Sequence, residues 1–494
     1  MDVDVIVVGA GPTGLMLAYE LGLAGVRTVV LDRRAEPDPQ SRAGGIQPRT
    51  AELLDARGLL GPLLAETGGV PSNGNFAGFG LDWRAAGSRY GWIGIAQGQV
   101  EAYLAKRLET LGVPVRRGHA VTGVEPDDGG VTALRADAPP VRARYLVAAD
   151  GGHSTVRGVV GADFPGTPAT VSSVAADVVL APGYERHVRT DGARALADYL
   201  TRAGDRWTLL MPLGEGTFRL VFGRDGHADP RDVPVTADEV RAALAGVHGA
   251  DVKLATLLAA SRFGNAFRQL SAYRAGRVLF AGDAAHIHPP LGGQGVNLGI
   301  QDAVNLGWKL AATVRGWSPP GLLDTYHSER HPVAARVLRT VRAQALLMAG
   351  LAGDDDLAAL REIVADLLEL PDTRRHLAAL MAGLDIRYEM PDTPAHPLLG
   401  CRVPDADLVG SPARAAELLH AGRGVLLEFG DLPGTVSGWV DRVDRVRVVA
   451  AGSPPATAVL VRPDGYVCWA SEGSDEGLRE ALGRWFGPEA RDRG

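Results

Sequence analysis

Three glycines near the start of the chain have the spacing of a loop that binds a dinucleotide. Gly9, Gly11 and Gly14 follow an apolar run, Val3 to Val8, and precede a helical pattern. In such a loop the first glycine permits a tight turn, the second lets the backbone approach a pyrophosphate, and the third lets helix and strand pack closely. The helix N-terminus offers free N–H groups to the phosphates. The pattern alone is equally compatible with a plain glycine turn.

An acid in the expected place supports the ligand-binding interpretation. Asp32 ends the second apolar run, Arg27 to Leu31, where a carboxylate accepts hydrogen bonds from ribose hydroxyls. Strand, helix and strand together predict the opening of a parallel sheet. Because the chain has no second Gly-x-Gly-x-x-Gly pattern, we expect one dinucleotide-binding domain with one tightly held cofactor. The loop itself does not distinguish FAD from NAD.

Two further carboxylates follow predicted strands. Asp150 lies in the segment Ala149 to Arg157, and Asp283 lies in the segment Arg277 to His286. Each is thereby placed at the carboxyl end of a strand, where open α/β sheets bind ligands. A glycine-rich run, Pro289 to Asn297, comes directly afterwards and leads into a predicted helix.

In this order and spacing, the three segments resemble the class A FAD-dependent aromatic hydroxylases typified by para-hydroxybenzoate hydroxylase. The similarity extends over roughly residues 1 to 400, and more weakly to the end, with the angucycline and anthracycline polyketide hydroxylases as the most similar members. It implies that Asp150 lies near the pyrophosphate of FAD and the nicotinamide cofactor, and that Asp283 binds the ribityl chain. It also implies that the backbone of Pro290, Gly293 and Gly295 lies near the isoalloxazine. The cofactor-binding residues implied are Gly9, Gly11, Pro12, Thr13, Gly14, Asp32, Arg33, Arg42, Gln97 (with Gln99 as its competitor), Asp150, Arg157, Asp283, Pro290, Gly293, Gly295, Val296 and Asn297.

The same resemblance implies the reaction. NADPH or NADH reduces FAD, oxygen adds, and a flavin C4a-hydroperoxide hydroxylates an aromatic, polycyclic polyketide substrate. No residue is predicted as the catalytic base, and the lysine of para-hydroxybenzoate hydroxylase is replaced by Gln294. Baeyer–Villiger, epoxidising or rifampicin-type drug-inactivating oxygenation on the same scaffold stays open. A flavin reductase or oxidase, and a non-catalytic flavoprotein, are the more distant alternatives.

The elements that position these residues predict an α/β fold. We expect a discontinuous, Rossmann-like FAD-binding domain (1–70, 97–165 and 272–330) with an inserted β-sheet substrate domain (71–96 and 166–271). A helical linker region (331–394) and a thioredoxin-like C-terminal domain without redox cysteines (395–494) complete the prediction. The substrate pocket is expected between the flavin and the β-sheet domain, although each candidate lining residue also suits an ordinary core. The candidates are Phe76, Phe79, Trp83, Trp92, Met211 and Phe218.

Composition limits the possible partners. The chain has 494 residues and a formal net charge of -7 without a basic run, which argues against binding to nucleic acid. Cys401 and Cys468 form no metal-binding or redox motif, so neither a zinc site nor a disulfide framework is predicted. No apolar stretch approaches the length of a membrane span. We therefore expect a cytoplasmic enzyme, with a homo-oligomer possible, that acts on a small aromatic molecule and O2.

Overall fold

The structure is a computed structural model that describes residues 1–38, 40, 43–72, 74–184, 199–214, 216–230, 233–349, 355–391, 395–410, 412–434 and 436–490. Within these residues the α-helices are α1 (Pro12–Leu23), α2 (Pro48–Asp55), α3 (Leu60–Thr67), α4 (Gln97–Thr110), α5 (Thr155–Val160), α6 (Ala237–His248), α7 (Gln294–Arg315), α8 (Thr325–Ala349), α9 (Asp355–Leu368), α10 (Pro371–Ala382) and α11 (Leu478–Phe486). The strands are β1 (Val5–Val8), β2 (Thr28–Leu31), β3 (Gly45–Ile46), β4 (Val70–Ser72), β5 (Gly74–Phe76), β6 (Phe79–Leu81), β7 (Trp92–Gly94), β8 (Val115–Arg116), β9 (Val121–Asp127), β10 (Gly130–Arg135), β11 (Val141–Ala143), β12 (Tyr145–Ala148), β13 (Gly166–Thr167), β14 (Ser172–Leu180), β15 (Leu200–Ala203), β16 (Arg206–Gly214), β17 (Thr217–Arg224), β18 (Leu254–Gly264), β19 (Phe267–Gln269), β20 (Arg274–Ala275), β21 (Val278–Phe280), β22 (His286–Ile287), β23 (Gly424–Glu428), β24 (Val443–Arg447), β25 (Ala458–Val461) and β26 (Val467–Ser471).

A six-stranded sheet in the order β20-β21-β12-β1-β2-β8 organises the first part of the chain. Strands β21, β12, β1, β2 and β8 are parallel neighbours, and β20 is the antiparallel edge. The short runs of Val, Ile and Leu in β1, β2 and β12 are buried along their whole length, as expected for strands that are covered on both faces. The predicted α/β class is confirmed.

Helices α1 and α7 pack closely beside this sheet. A Cβ atom at Gly299 would overlap the hydroxyl of Thr13, and one at Gly307 would overlap the side chain of Glu20. Positions eight residues apart lie on one face of a helix. Gly299 therefore brings the first part of α7 against the first turn of α1, and Gly307 brings the middle of α7 against the second half of α1.

The second large sheet is antiparallel, in the order β15-β16-β17-β14-β18. Helix α6, which the sequence interpretation did not anticipate within this β-rich region, covers one of its faces. The Thr236 hydroxyl caps this helix by accepting the Glu239 amide, and Val240 and Leu244 contribute to the core beneath. The alternation of apolar and polar residues correctly predicts β-strands in this region. The helical pattern of α6 covers only twelve residues between these strands, and for that reason it was missed.

The aromatic segment between β4 and α4 packs away from the five-stranded sheet. Strand β7 pairs with β3 and β4, and β5 forms a hairpin with β6. Phe76, Phe79, Trp83 and Trp92 join one apolar cluster with residues of α8, α9 and α10. Helices α8, α9 and α10 therefore contact this segment directly.

The C-terminal part contains a four-stranded sheet in the order β24-β23-β25-β26, followed by α11. The apolar runs of this part predict strands at 424–429, 446–450 and 458–461; β24 instead begins at Val443, and β26 is an additional strand. The residue pattern predicts one helical run from Thr50 to Leu64, which the structure divides into α2 and α3 near Gly58, where φ is +65°. No helix among the described residues has both the length and the apolar character needed to cross a bilayer.

Candidate functional site

The glycine loop has the conformation that its spacing predicts. Gly9 has φ +108°, and a Cβ there would overlap the carbonyl oxygen of Ala149. A Cβ at Gly14 would overlap the carbonyl oxygen of Gly9. At Gly11, by contrast, an added Cβ would meet nothing within 4 Å. The backbone of Gly11, which directly precedes Pro12 in the first turn of α1, is therefore accessible to a ligand.

Asp32 holds the loop from the neighbouring strand. Its Oδ2 accepts the N–H of Ala10 at 2.6 Å, and its Oδ1 accepts the N–H of Arg34 at 2.8 Å. A carboxylate has about four lone-pair sites, so both oxygens can accept further bonds from a ribose. The side chain of Arg33 is exposed beside it. Arg42 lies outside the described residues.

Asp150 and Arg157 connect two of the predicted motifs. The Asp150 Oδ2 accepts the N–H of Val156 at 3.2 Å, while Oδ1 is buried without a hydrogen-bond partner among the described residues. Burial raises the pKa of this carboxyl. Arg157 donates to the carbonyl oxygens of Gly152 at 2.7 Å and of Ala284 at 3.0 Å. Arg157 thereby ties the Asp150 segment to the Asp283 segment.

Asp283 occupies the exposed side of an otherwise buried turn. Gly282 and Ala284 are buried, whereas Asp283 is exposed. Its Oδ1 lies 3.8 Å from the position that a Cβ would take at Gly295. Gly282 has φ +60°, and Thr13 of α1 packs against it. The carboxylate thus stands between the glycine loop and the N-terminus of α7.

The N-terminus of α7 carries free backbone donors. Gly292 and Gly293 have φ of +66° and +61°, and the helix begins at Gln294 without a side-chain cap. The N–H groups of the first turn lack partners within a helix and carry the positive end of its dipole. Pro290 is exposed, and Gly295 and Val296 are partly exposed. The turn therefore presents a backbone surface with a positive field.

Asn297 and Trp92 hold the glycine backbone of this surface in place. The Asn297 Nδ2 donates to Gly293 O at 2.9 Å and to Gly45 O at 3.3 Å. The indole of Trp92 occupies the space that a Cβ would fill at Gly45 and at Gly293. Trp83 packs edge-on against Trp92, with 5.3 Å between ring centroids. The two glycine segments are thereby held at a fixed separation.

The structure separates the two candidate glutamines. The Oε1 of Gln99 accepts the N–H of Ala96 and caps α4 at an exposed position. The backbone N–H of Gln97 donates to Ala43 O at 3.0 Å, beside Gly44, and its side chain donates to Glu101 at 2.7 Å. Of the two, Gln97 is the one placed next to the segment that carries Gly45.

The substrate candidates fall into three places. Phe218 is 2 % exposed in the core between the five-stranded sheet and α6. Met211 pairs with Arg219 across β16 and β17, on the opposite face. On that face Arg219 forms a bidentate ion pair with Asp177 at 2.8 and 2.9 Å. The aromatic candidates 76 to 92 lie beside the Gly292 turn and α8 to α10. Phe218 is thus separated from Met211 by the sheet itself.

Several polar residues around this site were missed by sequence reasoning. The Nε2 of Gln47 donates to Gly292 O at 3.2 Å. The Oε1 of Gln344 accepts the N–H of Ala77 at 3.2 Å, at a hairpin residue whose φ is +51°. Both glutamines are fully buried. The sequence signal available for these two glutamines is a polar side chain within an otherwise apolar helical or strand pattern. That signal does not identify the group to which the side chain bonds.

The assembled residues fit a flavin dinucleotide. They provide accessible backbone at Gly11 and a buried Asp150 oxygen that accepts no hydrogen bond among the described residues. They also provide an exposed Asp283 carboxylate and the free backbone amides at the start of α7. Phosphates suit the amides at a helix N-terminus, and hydroxyl groups suit the carboxylates. An isoalloxazine suits a side-chain-free backbone surface such as Gly292 to Gly295.

Comparison with known families gives the same cofactor. Residues 2–341 match the FAD binding domain family, and residues 396–489 match the C-terminal domain of aromatic-ring hydroxylases. The FAD binding domain match spans more than half of the chain, and it includes every motif described above.

Individual relatives match over almost their whole length. The 12-dehydrotetracycline 5-monooxygenase/anhydrotetracycline 6-monooxygenase of Streptomyces rimosus is 46 % identical over 99 % of this chain and 100 % of its own. The rifampicin monooxygenase of Streptomyces venezuelae is 44 % identical over 98 % of each chain. The crystal structure of CabE, an aromatic hydroxylase from angucycline biosynthesis, superposes with a TM-score of 0.88 at 41 % identity, covering 99 % of this chain and 100 % of that one.

Proposed function

The chain belongs to the FAD-binding aromatic-ring hydroxylases, a family of flavin-dependent monooxygenases, and we propose that its substrate is a polycyclic aromatic polyketide. The reaction inserts one atom of O2 into a ring C–H bond and releases the other as water, with two electrons supplied by a nicotinamide cofactor. Bound FAD supplies the oxygen-activating chemistry. NADPH is the nicotinamide cofactor that we favour over NADH.

Several features of the described residues support a proposed position for FAD. The backbone at Gly11 and Pro12 would hold the pyrophosphate, and Asp32 with Arg33 would hold the adenosine. The Asp150 oxygen without a partner among the described residues and Arg157 would contact the middle of the cofactor, and Asp283 would bind the ribityl chain. The amides of Gly295 and Val296 would stabilise negative charge on the bound ring. The observation that carries this placement is the free N-terminus of α7 facing Asp283.

The proposed substrate surface is the open face of the five-stranded sheet, defined by Leu209, Met211, Asp177, Arg219 and Val221. These residues are partly exposed, whereas the α6 face is buried. Apolar side chains suit a flat polycyclic molecule. Asp177 orients Arg219, and the cation attracts a phenolic oxygen and favours its deprotonated form. Phe218 has no part in this surface because it lies beneath α6.

We propose that Trp92 and Trp83 exclude water, whereas Met211 contacts the substrate. Trp92, which is partly exposed, covers one side of the Gly45 and Gly293 backbone, and Trp83, 2 % exposed, packs against Trp92 from the protein interior. Water is thereby excluded from the region where the reactive oxygen must survive. Phe76 and Phe79 support these rings within the same cluster.

The division into domains also belongs to the proposal. All strands of the six-stranded sheet fall in 1–70, 97–165 and 272–330, and all strands of the five-stranded sheet fall in 166–271. The order β24-β23-β25-β26, in which β25 runs in the opposite direction to the other three strands, supports a thioredoxin-like C-terminal domain. Cys468 is buried and its thiol pKa is raised by burial, which disfavours a redox role. Cytoplasmic location and homo-oligomerisation stay predictions.

A second candidate function is drug inactivation by oxygenation, which the 44 % identity to rifampicin monooxygenase favours. The test is NADPH consumption by the FAD-loaded protein with a panel of tetracyclic and angular polycyclic phenols, and with rifampicin in parallel. We expect a polycyclic phenol to accelerate consumption and to gain one oxygen atom. Acceleration by rifampicin alone would replace the proposed substrate class with the second candidate.

A further inference from the structure

A buried carboxylate lies directly behind the turn that carries Asp283. Asp302 of α7 is 0 % exposed, and its Oδ2 accepts the N–H of Gly282 at 3.2 Å and a hydrogen bond from the Nε2 of His286 at 2.7 Å. Gly282 and His286 lie on either side of the turn that contains Asp283. Asp302 therefore holds the turn to the flavin-facing helix.

Arg330 of α8 compensates this charge. Its Nε donates to Asp302 Oδ1 at 2.7 Å, and its Nη2 donates to Leu298 O at 3.4 Å. Arg330 and Asp302 are both fully buried, and their opposite charges make the ion pair neutral overall. Although burial disfavours the charged form, the positive charge of Arg330 keeps the pKa of Asp302 below its ordinary value.

Tyr388 connects this pair to the C-terminal domain. The Nη1 of Arg330 donates to the Tyr388 hydroxyl at 3.0 Å. The Tyr388 ring packs at a tilt against Tyr466, which immediately precedes β26, with 4.3 Å between centroids. Its backbone N–H donates to Gly400 O at 2.9 Å. Tyr388 is thus held on two sides by the C-terminal part of the chain.

The continuous chain Tyr388–Arg330–Asp302–Gly282 is called here the buried relay. We propose that the buried relay is a positioning device by which the C-terminal domain sets the Gly282–Asp283 turn for FAD, with Tyr388 as the contact to that domain. This inference rests on the proposed placement of FAD at Asp283. It gives the C-terminal domain, which lacks a redox cysteine pair, a role in cofactor binding.

Energetics favour a positioning role over simple stabilisation. Replacing a buried ion pair by well-packed apolar residues is often neutral or stabilising, so such a pair is weak evidence for stability. The hydrogen bonds of this pair, in contrast, have directions that apolar contacts lack. They end on a backbone N–H of the cofactor turn. What the relay determines is therefore the orientation of that turn.

The test compares two single-hydroxyl deletions, Tyr388→Phe and Tyr273→Phe. Tyr273 is also fully buried, and its hydroxyl accepts one hydrogen bond from Gln269 at 2.8 Å but forms no hydrogen bond with Arg330 or Asp302. For each variant we would measure the FAD dissociation constant by fluorescence quenching, the midpoint potential and visible spectrum of bound flavin, and thermal unfolding of the FAD-free protein.

For Tyr388→Phe we expect the FAD dissociation constant to rise about tenfold, with a shifted midpoint potential and visible spectrum. For Tyr273→Phe we expect both flavin properties to match the wild-type protein, even if its unfolding temperature falls by the same amount. Equal flavin properties in Tyr388→Phe and wild-type protein would overturn the relay. So would equal changes in the two variants, because they would indicate a general loss of stability.

Asp283→Ala separates the relay from the placement on which it rests. If Asp283→Ala retains full FAD affinity, the proposed cofactor placement fails, and the relay fails with it. If Asp283→Ala loses FAD while Tyr388→Phe binds it normally, the relay alone fails. Should Tyr388→Phe not fold, Arg330→Lys provides the same comparison, because lysine cannot bridge Asp302 and Tyr388 as the guanidinium does; unchanged FAD affinity in that variant would overturn the relay.

Discussion

Asn297, in the first turn of α7, accepts the backbone N–H of Gln47 through its Oδ1 at 2.8 Å. Both residues are almost completely buried, at 0 % and 1 % exposure. The contact joins two segments 250 residues apart and fixes the end of α7 against the strand that begins at Gly45. The backbone surface proposed for the flavin ring depends on this hydrogen bond.

Asn297→Ala should destabilise the FAD-free protein by about 1–3 kcal/mol, because it leaves the Gln47 N–H buried without an acceptor. FAD affinity should fall as well, since the amides of α7 lose their alignment. Chemical denaturation and FAD titration measure the two effects. Glu109→Ala, at an exposed position of α4, is the control and should change stability by at most about 0.5 kcal/mol. Unchanged stability of Asn297→Ala would contradict the assigned contact.

Gly45→Ala should be destabilising by about 1–3 kcal/mol, because its Cβ would overlap the Trp92 indole. Gly44→Ala is the matched control, since a Cβ there meets nothing within 4 Å. Adding Trp92→Leu to Gly45→Ala should restore part of the lost stability. If the two alanine variants have the same unfolding free energy, Trp92 does not occupy the proposed position.

Met211→Ala and Phe218→Ala should affect different properties. The first removes part of the proposed substrate surface, so KM should rise several-fold to about tenfold while stability changes little. The second opens a cavity beneath α6 and should cost about 3–5 kcal/mol of stability with KM unchanged. Steady-state kinetics and denaturation distinguish them. A KM effect confined to Phe218→Ala would move the substrate to the α6 side of the sheet.

Lys309 should make stability rise with pH under alkaline conditions. Burial lowers its pKa from 10.5 to about 8, although Glu329 lies 2.7 Å away. Between these values the unfolded chain binds a proton that the folded protein does not, so the free energy of unfolding increases with pH. The increment should be about 1–3 kcal/mol. It should be absent from Lys309→Gln, and a parallel pH dependence of the two proteins would contradict the assignment.

The motif regions could be predicted from sequence because their constraints are local. The strand, glycine loop and helix at 5 to 23, and the hairpin of β16 and β17, follow from glycine spacing and alternating apolar residues. The approach of Thr13 to Gly282 and Gly299 also has a local signal, in the absence of a side chain at both glycines. Which of Gln97 and Gln99 faces the cofactor segment, in contrast, depends on capping geometry that spacing does not determine.

The remaining features depend on distant contacts. Phe218 and Met211 are both apolar residues of neighbouring strands, and only the location of α6 decides which is core. Asp302, Arg330 and Tyr388 are polar positions in separate elements, and their partners are set by tertiary packing. The placement of 76 to 92 against α8 to α10 likewise follows from packing that no local pattern encodes.

The most direct test of monooxygenation is a reaction of the FAD-loaded protein with NADPH, 18O2 and the most active polycyclic phenol of the panel. The account predicts a product that carries one 18O atom on a ring carbon, with one NADPH consumed for each product formed. A product whose added oxygen comes from water, or product formation without NADPH consumption, would contradict it.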